Sequence, residues 1–66
     1  MLSTNAQIEV LRRTARERAT ATEPGTVECG AVAVRYYPRS SRYGWWVNGE
    51  RTIVRVVSEA LSETRR

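Results

Sequence analysis

Residues 35–55 hold Arg35, Arg39, Arg42, Arg51 and Arg55 against Glu50 alone, and the same stretch holds every aromatic residue of the chain: Tyr36, Tyr37, Tyr43, Trp45 and Trp46. Arg, Tyr and Trp dominate the energetic centres of binding interfaces. A guanidinium also grips carboxylate or phosphate bidentately, and a flat ring stacks on a nucleic-acid base. The chemistry on offer is recognition. The flanks add no net charge. Arg12, Arg13, Arg16 and Arg18 balance Glu9, Glu17, Glu23 and Glu28, while Arg65 and Arg66 balance Glu59 and Glu63, so the formal net charge of +4 belongs to this stretch.

The residues that usually do covalent or proton-transfer work are missing. The chain has no His and no Asp, so Ser-His and Cys-His activation have no base. Cys29 lies among Ala and Val, without a neighbouring cation in the sequence to stabilise a thiolate. Glu28 and Glu50 flank the central segment and read as solvent-facing strand ends. The four glycines, at 25, 30, 44 and 49, are too scattered for a phosphate loop. A zinc site would lack most of its ligands. The expectation is a protein that is not an enzyme and carries no cofactor or metal.

At 66 residues the chain reads as one small α+β domain, residues 1–66. A domain of this length buries only about 60% of its unfolded surface, so its own core is marginal and a partner or a second copy is the natural support. With one cysteine no intrachain disulfide forms, and Cys29 is expected to be a buried thiol in a reducing compartment. Met1-Leu2-Ser3 is not a charged start to an apolar run, and no apolar run approaches the ~20 residues of a membrane span. A cytoplasmic protein, in a bacterial or host cell and away from the membrane, is expected. Every base is Arg and none is Lys, a bias that GC-rich coding produces.

Three elements must position the Arg and aromatic residues. A first helix begins at Thr4 as N-cap, with Gln7 completing a capping box. It carries Ile8, Leu11, Ala15 and Ala19 at helical spacing and ends by Ala21 or Thr22, ahead of Pro24-Gly25. Glu9, Arg13 and Glu17 are spaced for i,i+4 pairs along its solvated side. Residues 26–37 read as a strand with Gly30 as a bulge or bend. In it Val32, Val34 and Tyr36 point one way and Ala33, Arg35 and Tyr37 the other, with Cys29, Ala31 and Ala33 forming a small-residue face that a helix can approach. Pro38-Arg39-Ser40-Ser41 is a turn, and residues 42–48 return as an antiparallel strand. Asn48-Gly49 is a strong hairpin signal, leaving a short strand piece at Glu50-Arg51. Ile53, Val56, Val57, Ala60 and Leu61 then recur at i, i+3, i+4, i+7 and i+8, which predicts a helix over 53–64 with Thr52 as its N-cap. The predicted order is an N-terminal helix, a long antiparallel β-hairpin with a short third strand, and a C-terminal helix.

Adjacent strand residues face opposite sides, so Trp45 and Trp46 cannot share one core, nor can Tyr36 and Tyr37. One of each pair packs beneath the helices and the other faces outward. The expected partner-binding residues are Arg35, Tyr37, Arg39, Arg42, Tyr43, Trp46 and Arg51. The bland alternative is that outward rings are capped by Arg35 or Arg51 through cation–π contact. The expected activity is docking on a larger protein to inhibit or regulate it, in the style of phage-encoded inhibitors of host defence. Binding of nucleic acid by a basic aromatic ribbon is one alternative, and self-assembly into a homodimer is another.

Overall fold

A computed structural model describes residues 3–64. The elements are α1 (Thr4–Arg18), β1 (Gly25–Cys29), β2 (Val32–Tyr37), β3 (Arg42–Val47), β4 (Glu50–Thr52) and α2 (Val54–Thr64). The strands form one antiparallel sheet in sequential order β1-β2-β3-β4. Both helices cover one face and leave the other open. The α+β order therefore stands, with β4 as the short extra strand.

Segment 26–37 divides into two strands. Gly30 takes φ +60°, and with Ala31 it makes a two-residue turn that pairs Cys29 with Val32. Gly at the first central position is what a type II′ hairpin turn requires. The division moves Cys29 out of register with Ala33, so the small-residue face does not exist: Ala33 lies on the open side and Cys29 on the helix side. Nor is Cys29 buried. It is exposed at the strand end, where the sheet edge runs past α1. At the far end of the meander Asn48 (φ 54°) and Gly49 (φ 82°) both adopt left-handed backbone, the type I′ geometry that joins β3 to β4.

The N-caps of the two helices each differ from expectation by one residue. Ser3 caps α1, its hydroxyl accepting from the Ala6 N–H at 3.1 Å, and Thr4 is already helical. Thr4 Oγ1 instead meets Ser62 Oγ at 3.0 Å, joining the start of α1 to the end of α2. Ala19 is the C-cap of α1, in extended conformation. Thr20 then closes a turn by accepting from the Glu23 N–H at 2.9 Å through its hydroxyl. Thr52 is the last residue of β4 and pairs with Trp45, and α2 begins only at Val54, so the cap position falls on Ile53. The Ile53 carbonyl accepts the first α2 bonds, from Val56 and Val57.

The core lies between helices and sheet: Ile8, Leu11 and Ala15 of α1, Val32, Val34 and Trp45 of the sheet, Val57 and Leu61 of α2. Val34, Val57 and Ala15 have no exposed surface. Ala15 is buried because α1 descends onto Gly25, where a side chain would collide with the Ala15 carbonyl oxygen and the Ala19 nitrogen. That close approach anchors β1, and the Arg18 guanidinium donates to the Thr26 carbonyl at 3.1 Å on the outer edge of the sheet. An edge carbonyl already engaged is less open to strand addition.

Candidate functional site

The open face is built by strand alternation. Cross-strand pairing sets Glu28, Ala33, Trp46 and Arg51 in one row, Thr26, Arg35 and Gly44 in the next, and Tyr37 with Arg42 in a third. Trp45, paired with Val34, goes inward and is buried. Tyr36 also packs against the core. The expectation that each aromatic pair splits across the sheet holds.

Tyr43 is a correction. It stands one residue before Gly44 and three before Trp46, which puts it on the helix side. Its ring centroid lies 5.0 Å from that of Tyr36, it packs against the core, and the Arg12 guanidinium covers it at 5.8 Å. Tyr43 therefore supports the sheet from behind and does not belong to the open face. Arg39 sits exposed in the turn between β2 and β3, at the tip and beyond the face proper. Arg35, Tyr37, Arg42, Trp46 and Arg51 are brought together on one surface.

Trp46 is the centre of that surface. The Arg51 guanidinium carbon lies 5.0 Å from the ring centroid and that of Arg35 lies 5.6 Å from it. Arg51 comes from β4 and Arg35 from β2, on either side of β3, so the two cations flank the ring. The cation–π capping weighed from the sequence is thus present, and it involves both arginines. Arg35 is further held by donation from Nε to Thr26 Oγ1 at 3.1 Å, and the residue is exposed. The indole leans along β3 over Gly44, where an added methyl would come within 2.9 Å of Cζ3 and within 3.2 Å of Cε2 of Tyr37. Both outer rings converge above one glycine.

Beside Trp46 a cleft of about 420 Å³ runs over Ala33 towards β1, bounded by Arg35, Thr26 and Glu28 and open at the Gly30-Ala31 and Asn48-Gly49 turns. The signal for this cleft was in the sequence: Ala33 and Gly30 are the small residues that make room for it. The cleft forms only because the turn at Gly30 folds β1 back alongside Ala33, which a single strand over 26–37 does not provide. The charge of the face is Arg35, Arg42 and Arg51 against Glu28. Among the described residues no group of three His, Cys or Glu side chains comes together to hold a metal ion, and no helix is long and apolar enough to cross a membrane.

Comparison with known proteins finds no matching family model, no matching curated protein and no matching solved structure. The functional reading accordingly rests on the geometry of this face.

Proposed function

We propose that this protein is a non-catalytic docking protein that binds an acidic surface of a larger protein through its open sheet face, and inhibits or regulates that protein by covering it. The observation that carries the reading is the Arg35–Trp46–Arg51 arrangement on a sheet face with no layer over it. A large ring in contact with two guanidiniums and seated over Gly44 is a pre-organised anchor, because little side-chain freedom is left to lose on binding. The guanidinium edges keep their donors for carboxylates while their faces lie on the indole. Self-association through this face is disfavoured, since it would bring Arg35, Arg42 and Arg51 of two copies together, and like charges across an interface cost several kcal/mol.

Protein is favoured over nucleic acid by the same contacts. Base stacking needs a free aromatic face, and a base would have to compete with the two guanidiniums that already lie against the Trp46 ring. The site suits the cytoplasm, where an exposed single thiol at Cys29 stays reduced.

The test is affinity capture from a nuclease-treated lysate with the wild-type protein and with Trp46→Ala and Arg51→Ala. One protein is expected to be retained by wild type and weakened at least about tenfold by either substitution, as for the truncation of an interface anchor, with circular dichroism unchanged. Retention of nucleic acid in an untreated lysate, with affinity falling steeply in salt and no nuclease-resistant partner, would count for the nucleic-acid reading instead.

A further inference from the structure

The two edges of the sheet differ. On β1 the Thr26 carbonyl already accepts from Arg18. On β4 the edge is bare. The Asn48 N–H donates to the Ala31 carbonyl at 2.9 Å, on the β2 side of β3. Bonding direction alternates along a strand, so Trp45 and Val47 turn theirs to β4, where they pair with Thr52 and Glu50. The Arg51 N–H and C=O are left on the outer edge, where no further strand lies. The inner face of β4 is uncovered too. The α2 helix packs on β3 and β2, and a groove of about 270 Å³ bounded by Val47, Glu50, Thr52 and Val56 stays open beside it. Ile53, just past the end of β4, is 58% exposed.

A free donor and acceptor on a sheet edge select an extended occupant, because a strand returns both bonds. What stands opposite each residue decides which strand. We infer that the occupant is β4 of a second copy of this chain, paired antiparallel about a two-fold axis through Arg51. In that register the two Arg51 residues exchange both backbone bonds, Glu50 stands opposite Thr52, and Gly49 stands opposite Ile53. The Glu50 carboxylate and the Thr52 hydroxyl have no hydrogen-bond partner among the described residues, and they form an acceptor–donor pair twice by symmetry. Gly49 has nothing within 4 Å of where a side chain would stand, which leaves room for Ile53. The two Arg51 guanidiniums do not meet, because each is drawn back over its own Trp46, 5.0 Å from the ring centroid and one strand in from the edge. A two-fold contact must be self-complementary. This edge meets that condition, whereas the open face, with its three arginines, does not. The product is one eight-stranded sheet. Its two-fold axis stands perpendicular to the sheet, so both open faces lie on the same side.

Sedimentation equilibrium of the whole protein tests this over a range of concentrations. A contact this short belongs at the weak end of specific interfaces, so half-association is expected at roughly 100 µM. Ile53→Asp puts a favoured capping residue at the head of α2 and a charge at the seam, and Arg51→Pro removes only an edge N–H. Each is expected to weaken association at least about tenfold, with circular dichroism unchanged. Amide exchange of wild type needs no variant: the Arg51 N–H is expected to exchange more slowly as concentration rises. A protein that stays monomeric throughout overturns the inference. So does a dimer that survives Ile53→Asp, or one that leaves Arg51 exchange unchanged. Protection of the Arg51 N–H only when a different protein is added overturns the second copy in favour of a foreign strand.

Discussion

The Trp46 indole rests over Gly44, two residues earlier on the same strand, and a methyl group at that glycine would stand 2.8 Å from ring atom Cη2. Real side-chain carbons do not approach so closely, so the ring lies where it does because position 44 has no side chain. Gly in a strand interior is a cost in backbone entropy. Here it is offset by the place it makes for the ring between Arg35 and Arg51.

Gly44→Val is therefore expected to separate fold from function. Valine suits a strand, so the folding free energy should change by no more than about 1 kcal/mol, read from the urea midpoint. The ring must move off its seat. The Trp46 indole resonance should shift while that of Trp45 stays, and partner capture should fall.

Gly25 offers the contrasting case. A methyl there meets backbone, the Ala15 carbonyl and the Ala19 nitrogen, and backbone at a helix end cannot swing aside as a side chain can. Gly25→Ala is expected to cost about 3 kcal/mol through overpacking. In a domain of this size that lowers the melting temperature by more than about 10 °C. Thermal unfolding followed by circular dichroism checks it.

Much of the open face was legible because strand alternation is a rigid rule. Once residues 42–47 are a strand, Trp45 and Trp46 must part, and they do. The same rule placed Tyr43 with Trp45. The expected place of Tyr43 among the partner-binding residues does not follow that rule, and the ring packs behind the sheet. Gly30 was ambiguous for a physical reason: a lone glycine in a β-rich run serves equally as a bulge or as the first residue of a tight turn, and only the pairing of Cys29 with Val32 decides. Once the turn is missed, parity is lost for every residue before it, Cys29 included. The α2 helix was readable despite its β-branched residues, because its apolar repeat has no gap. Its cap was not, since Thr52 is engaged in the ladder with Trp45.

The α2 register makes its own prediction. Val57 has no exposed surface, whereas its neighbour Val56 is 36% exposed beside β4. Val57→Ala removes two buried methyl groups and leaves a cavity, an expected loss of about 2–3 kcal/mol. Val56→Ala should change stability by less than about 0.5 kcal/mol, because alanine's better helix propensity offsets the little burial lost. Urea denaturation of the two variants side by side measures the difference.

Arg12 decides between two opposing terms behind the sheet. Its guanidinium lies 5.7 Å from the Trp45 ring and 5.8 Å from that of Tyr43, contacts worth about 0.5–1 kcal/mol each where partly exposed. Nη1 also donates to Glu9 at 3.0 Å, an i,i+3 pair in place of the expected Glu9–Arg13 one, and worth only about 0.3–0.5 kcal/mol at the surface. Against these, Nε is buried without a hydrogen-bond partner among the described residues, a desolvation cost of about 1–3 kcal/mol. The terms nearly cancel, so what Arg12 supplies is the hydrocarbon stem that covers the two rings. Arg12→Met keeps that cover and removes the unpartnered donor, and its stability should lie within about 1 kcal/mol of wild type. Arg12→Ala strips the cover and should cost about 1–2 kcal/mol. A melting temperature for Arg12→Met as low as that of Arg12→Ala would show that the charge outweighs the stem, and that the aromatic pair behind the sheet is held by cation–π attraction.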